Sequence, residues 1–206
     1  MDKCTECYAC FRSSICPTDA IKESALVWPR SLRPFFGSVQ IEHKETRVPG
    51  RGTEEMKTND VTGRFGYDKI GFSVDIGRPG VGTTFNDVEK IAIAVAKTGA
   101  EFEPMNPVTF FMADKKTGRI RDDVKTEKIH SCVLEFTIRL DRLPKAVNAL
   151  AEVSKEVDTV FSVGCCCKVS PDGTILGKRI LEENSIFHRP NGKTNVGLGK
   201  PHAEIR

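Results

Sequence analysis

The chain is poor in aromatic residues and nearly balanced in charge. Aromatics make up 7% of its 206 residues, with Phe 12, Tyr 2 and Trp 1. Lys and Arg number 31 against 28 Asp and Glu, a formal net charge of +3. That excess is too weak to argue for a nucleic-acid partner. No apolar run reaches the roughly 18–20 residues that a membrane span needs. The opening MDKCTECYACF lacks the uninterrupted apolar stretch of a signal peptide. The histidines (His43, His130, His188, His202) show no metal spacing among themselves. Hydrophobic residues at 39% still suffice for a buried core. The expectation is a soluble, cytoplasmic protein of one or two domains.

Cysteine is where the composition departs from the ordinary. Of the 8 cysteines, Cys4, Cys7, Cys10 and Cys16 lie near the N-terminus, Cys165, Cys166 and Cys167 are consecutive, and Cys132 stands apart. A disulfide framework fits poorly, because adjacent cysteines do not pair easily and no secretion signal is seen. In a reducing compartment, clustered thiols bind metal or do redox chemistry.

The strongest motif is Cys4-x2-Cys7-x2-Cys10-x5-Cys16-Pro17. Two-residue gaps let one short loop wrap a cubane, aiming three thiolates at three corners while backbone N–H groups point at the sulfides. Proline after the last Cys fixes φ and steers the chain away. The motif resembles one arm of the bacterial-type ferredoxins, and Thr18-Asp19-Ala20-Ile21 matches their usual continuation. It departs in one place, since five residues separate Cys10 from Cys16 where three are common. A structural zinc knot and a set of free thiols are the alternative readings. In two-cluster ferredoxins the Cys-Pro thiolate serves the other cluster, and this chain has no second arm. The fourth ligand is then Cys16 folded back on the same cluster, a distant Cys, or a residue of a second subunit. Cys16 is the most economical of these. The expected ligands of one [4Fe-4S] cluster are Cys4, Cys7, Cys10 and Cys16.

Behind this segment (1–22) the sequence predicts an irregular connector over 23–68, a βαββαβ domain over 69–168 and an irregular basic tail over 169–206. Residues 69–76 alternate as a half-buried strand does. Thr84 looks like an N-cap, followed by Phe85, Val88, Ile91, Ala92 and Val95 at helical spacing, with Gly99 at the C-terminal stop. Strands are expected over 108–112, 128–140 and 159–163, and a second helix after Asp141 with Pro144 in its first turn. The fold class is therefore α+β, a short ferredoxin-like [4Fe-4S] segment followed by a split-βαβ sandwich.

The remaining candidates each carry two readings. On a strand, Cys165 and Cys167 share one face and Cys166 takes the other, which suits packing unless Gly164 bends the chain toward a redox or ligand role. Cys132 reads as core. The loop over 77–84 joins a strand to a helix N-terminus, a geometry that either binds an anion or makes a glycine-dependent turn. Arg51, Glu54, Glu55 and Asp60 form a charged site or a solvated loop. Lys193, Asn195 and Lys200 suit a phosphate or an acidic partner surface, or a solvated tail.

Four longer phrases carry a wider resemblance. Gly50-Arg-Gly-Thr-Glu-Glu-Met-Lys-Thr-Asn-Asp-Val-Thr-Gly-Arg64, Asp75-Ile-Gly-Arg-Pro-Gly-Val-Gly-Thr83, Phe102-Glu-Pro-Met-Asn-Pro-Val108 and Arg189-Pro-Asn-Gly-Lys-Thr-Asn-Val-Gly-Leu-Gly-Lys-Pro201 resemble the 6-hydroxynicotinate reductase family. That family also opens with a ferredoxin-like cysteine arm. The resemblance implies low-potential, ferredoxin-linked reduction of an aromatic N-heterocycle in anaerobes. The family's enzyme is a flavin-containing iron–sulfur protein with a longer chain. No flavin fingerprint appears here, so the electron-transfer role carries over more readily than the named reaction. The expectation is an electron-transfer protein or reductase subunit, working beside a redox partner or catalytic subunit in an oligomer or multi-subunit complex. Two other readings stand beside it: a ligand-binding or regulatory α+β module with a structural or redox-sensing cluster, and a complete small reductase.

Overall fold

The computed structural model describes residues 3–23, 25–38, 40–44, 46–47, 51 and 65–189. The fold is α+β. Its centre is a four-stranded antiparallel sheet made of β1 (Lys69–Ile76), β3 (Glu101–Phe102), β7 (Cys132–Arg139) and β8 (Phe161–Cys166), in the order β3-β7-β1-β8. Two helices, α3 (Phe85–Ala96) and α5 (Leu143–Val153), pack on each other and cover the sheet.

Alternation within the strands explains which face they cover. Ile70, Phe72, Val74 and Ile76 share one side of β1, and all four are fully buried. Phe72 lies opposite Phe136 on β7, their rings stacked at 4.9 Å and 6°. The helices answer with Phe85, Val88, Ile91 and Val95 from α3 and Ala146, Leu150 and Val153 from α5, all buried. Val147 packs against this core while remaining partly exposed. Thr84 starts α3 as its N-cap, with Oγ1 accepting the Asp87 N–H at 3.3 Å and donating to Asp87 Oδ2 at 2.9 Å. Thr84→Ala should therefore lower the unfolding free energy by about 1 kcal/mol, read as a shift in urea midpoint with unchanged slope.

Along β7 and the middle of β1 the other face of the sheet is also largely closed to water, although most of its residues there are polar. Ser73, Glu135 and Thr137 alternate with the apolar set and are buried. Asn106 Nδ2 donates to Glu135 Oε2 at 2.6 Å and to the Val133 carbonyl at 2.9 Å. The Arg51 carbonyl accepts the Val133 N–H at 2.9 Å, and Arg51 Nη1 reaches Asp75 Oδ1 at 3.2 Å. Buried polar groups are tolerated because they are bonded in this way.

Between β3 and β7 the chain adds α4 (Pro107–Phe110), the hairpin of β4 (Met112–Asp114) and β5 (Arg119–Ile120), and β6 (Lys128–Ile129), which pairs with β2 (Thr83–Thr84). Gly118 turns the hairpin with φ +78, and a Cβ there would stand 2.6 Å from the Ala92 carbonyl carbon, so the turn rests directly on α3.

Four sequence expectations need correction. Residues 108–112 do not form the second strand of the sheet. Asn106 caps a helical turn there, its Oδ1 accepting the Val108 N–H at 2.8 Å, and Pro107 supplies a helical φ at the first position; the sheet strand is β3 instead. The strand expected over 128–140 is two strands, because Lys128–Ile129 pairs with β2 while Cys132–Arg139 pairs with β1. The last strand begins two residues later than expected and runs through Cys166. The stretches expected to be irregular contain a 3-10 turn (Arg30–Leu32), α2 (Arg33–Gly37) and α6 (Leu176–Glu183). Leu32, Phe36 and Leu181 tie them to the core. No helix among the described residues is long and apolar enough to cross a membrane.

Candidate functional site

The N-terminal cysteines sit on a loop whose turns are set by residues with positive φ. Glu6 (φ 51) and Tyr8 (φ 57) reverse the chain within the Cys-x2-Cys-x2-Cys stretch, and a single helical turn, α1 (Ala9–Arg12), carries Cys10. Cys4 and Cys10 are exposed, Cys7 and Cys16 half-buried. Backbone N–H groups are directed at two of the sulfurs. Glu6 N–H meets Cys4 Sγ at 3.4 Å, and Ala20 N–H donates to Cys16 Sγ at 3.3 Å. The Thr18 hydroxyl lies 3.4 Å from the same Cys16 sulfur. With the Thr18 hydroxyl contributing most and the Ala20 N–H next, the Cys16 thiol is lowered to about 7. Its thiolate, the metal-binding form, is thus populated at neutral pH.

The structure places these four thiols on one loop without converging them. Among the described residues, no three His, Cys, Asp or Glu side chains form a group that could hold a metal ion. The donor set nonetheless fits an iron–sulfur cluster in kind: four thiols between positions 4 and 16, with N–H groups already aimed at sulfur.

The loop is fastened to the body of the protein through 30–38. Arg33 is buried and bridges the two, its Nε donating to Glu127 Oε2 at 2.6 Å and its Nη1 to the Cys4 carbonyl at 2.6 Å. Arg30 pairs with Glu6. Arg12 donates to Ser38 Oγ at 3.0 Å and to the Cys7 carbonyl at 2.9 Å. Gly37 lies so close that a Cβ there would stand 2.9 Å from Cys7 Cα. None of these anchors was nominated from sequence. The one available hint was Arg30 and Arg33 inside a proline-flanked, apolar stretch, where charged residues need a partner.

The other cysteines belong to the sheet, Cys132 on β7 and Cys165 and Cys166 on β8, with Cys167 just after it. Cys132 is fully buried opposite Ile76, and burial pushes its thiol far up. Cys165 pairs across from Phe72, and so faces the same side as the core, while Cys166 pairs across from Gly71. Desolvation, then the neighbouring Cys167, hold the Cys165 thiol protonated, at about 11, although the residue's edge-strand surface is open to solvent. Cys167 packs against the core beside Ile70 and Gly177.

The 77–84 loop behaves as a turn. Val81 and Gly82 N–H groups both bond the Gly77 carbonyl, at 3.1 and 3.0 Å, and Gly77, Gly80 and Gly82 all take positive φ. The helix N-terminus behind it is occupied by the chain itself. Phe85 N–H bonds the Glu127 carbonyl at 3.2 Å, Asn86 N–H the Lys125 carbonyl at 2.9 Å, and Asp87 N–H the Thr84 hydroxyl. Little is left there to hold an anion. Of the charged connector residues, Arg51 pairs with Asp75. Glu54, Glu55 and Asp60, like Lys193, Asn195 and Lys200 in the tail, lie outside the described residues. Compared with known proteins, the chain matches no family model, no curated protein and no solved structure.

Proposed function

We propose that the chain is a [4Fe-4S] electron-transfer protein or the electron-transfer subunit of a low-potential anaerobic reductase, acting in the cytoplasm beside a redox partner or catalytic subunit. The observation that carries this reading is the spacing of Cys4, Cys7, Cys10 and Cys16, together with the N–H groups aimed at Cys4 and Cys16. These four residues would hold the cluster, which supplies single-electron transfer when bound. The chain's own residues shift Cys16 toward its thiolate form and secure the loop on Arg33, Arg12 and Gly37. A ferredoxin-like segment docked on a split-βαβ sandwich is the architecture we assign. The strand order β3-β7-β1-β8, with α3 and α5 as its two helices, supports the second half of that assignment. The resemblance to the 6-hydroxynicotinate reductases makes an N-heteroaromatic such as 6-hydroxynicotinate the proposed electron acceptor of the complex.

Iron, sulfide, zinc and flavin analysis of anaerobically purified protein tests the reading. About four irons and four sulfides per chain are expected, with an EPR signal on reduction. Bound zinc without sulfide would overturn it.

A further inference from the structure

We propose that β8 is the surface through which two copies of this chain pair, antiparallel and about a two-fold axis at Val163. β8 ends the sheet on one side and is bonded to β1 alone. The opposite end is closed by β3, which has two residues and carries the Lys69–Glu101 ion pair. Short edges and edge charges discourage further pairing. β8 has neither device. It runs six residues in unbroken register with β1, and from Thr159 to Cys167 the chain holds no charged residue and no proline.

The register decides which backbone groups remain open. Gly77 N–H donates to the Val160 carbonyl at 2.8 Å, one step beyond the Ile76–Phe161 pair. Bonded and non-bonded pairs alternate along an antiparallel ladder, so Ser162, Gly164 and Cys166 turn their N–H and C=O groups to β1. Those of Phe161, Val163 and Cys165 point off the edge, and among the described residues no backbone group meets them. Side chains are uncovered there too. Val163 lies across from Val74, yet the helices bury Val74 fully and leave Val163 44% exposed. The helical layer thus stops short of the edge. Open donors and acceptors beside uncovered apolar side chains are what strand addition requires.

The symmetry of the segment 158–168 names the occupant. Two copies centred on Val163 bring Val163 opposite its own copy and Phe161 opposite the partner's Cys165, so all three open residues give and receive a bond. Shifting the axis to Ser162 or Gly164 pushes one open residue past the end of the partner's strand. Size is matched in the centred register, Phe161 against the partner's Cys165 and Ser162 against the partner's Gly164. Continued outward, it sets Asp158 across from the partner's Lys168, and Lys168 across from the partner's Asp158. Asp158 is exposed and Lys168 half-buried, and neither makes an ion pair among the described residues. Charge is therefore complementary at both ends and absent between them, a pattern that matches itself under a two-fold axis. The two four-stranded sheets would join into one, with both helical layers on the same side.

The full chain is purified anaerobically and kept in dithiothreitol, so that no disulfide contributes. Its mass is measured by sedimentation equilibrium, and its amide hydrogen exchange is followed by NMR. Twice the chain mass of 22.8 kDa is expected. The Phe161, Val163 and Cys165 amides should exchange slowly in the dimer and fast on dilution, while those of Ser162 and Gly164 stay slow at both concentrations. Val163→Pro removes an outward N–H and no bond to β1. It should be monomeric, with slow Ser162 and Gly164 amides showing that the sheet is intact. Lys168→Glu should weaken the dimer by roughly tenfold, and adding Asp158→Lys should restore the parent affinity. A monomeric parent would overturn the proposal, and slow exchange of Val163 in that monomer would identify another segment of the chain as the occupant. A dimer unmoved by Val163→Pro, or no recovery with Asp158→Lys, would overturn the pairing about Val163. The pairing does not depend on the cluster, and iron and sulfide assayed on the same sample stand or fall separately.

Discussion

Cys7→Ser should leave the chain with almost no acid-labile sulfide, down from about four per chain. The two-residue gaps on either side of Cys7 give one short loop three thiols, of which Cys7 is the middle one. A Ser hydroxyl ionises far less readily than a thiol and is a much poorer ligand at neutral pH. Cys4→Ser and Cys10→Ser should behave alike. Cys16→Ser discriminates more finely, because its sulfur already accepts the Ala20 N–H and meets the Thr18 hydroxyl, which favour a thiolate there. It too should lose the cluster. Cys165→Ser and Cys167→Ser should keep it. Those residues sit across from Phe72 and beside Ile70, near the start of β1, whereas the N-terminal loop is fastened beside Glu127, next to the β2–β6 pair beyond the other end of that strand. Iron and sulfide assays with EPR of each anaerobically prepared variant check the series. Full sulfide in Cys16→Ser combined with its loss in Cys167→Ser would place the fourth ligand in the sandwich.

What the sequence discloses follows the range of the interactions. Helix α3 is legible because its cap, its apolar stripe and Gly99 are all local, from Thr84 onward. Strand β1 is legible from its alternation, yet the alternation misleads about its second face. Ser73, Glu135 and Thr137 look like solvent-facing residues and are buried, because Asn106 and Arg51 arrive from elsewhere in the chain to bond that face. Strand β3 has two residues, too few to show any period, so the expectation fell on the apolar stretch after it, which Asn106 and Pro107 turn into a helical turn. The cysteine motif is visible at once, since its whole meaning lies in spacing. The groups that hold its loop in place are not, since Arg33 and Glu127 are 94 positions apart. No local pattern announces such a pair.

That long-range pair supports the second large prediction. Arg33 and Glu127 side chains are 8% and 11% exposed, and Nε and Oε2 are 2.6 Å apart. Removing one partner of a buried pair strands the other charge in a medium that solvates it poorly. Arg33→Met should therefore lower stability by about 3–5 kcal/mol, measured anaerobically as a shift in denaturation midpoint. Adding Glu127→Met should recover much of that loss, because two apolar side chains of similar volume satisfy the site without a stranded charge. The Cys4 carbonyl behaves differently. It loses the Arg33 Nη1 donor in both variants, and the second substitution restores nothing there. Iron should consequently leave both variants faster than the parent under a chelator, even where the double variant has regained its stability. Equal iron retention in the parent and the double variant would mean that the sandwich does not position the cysteine loop through Arg33. A loss below about 1 kcal/mol in Arg33→Met would mean that water screens the pair as it does a surface ion pair.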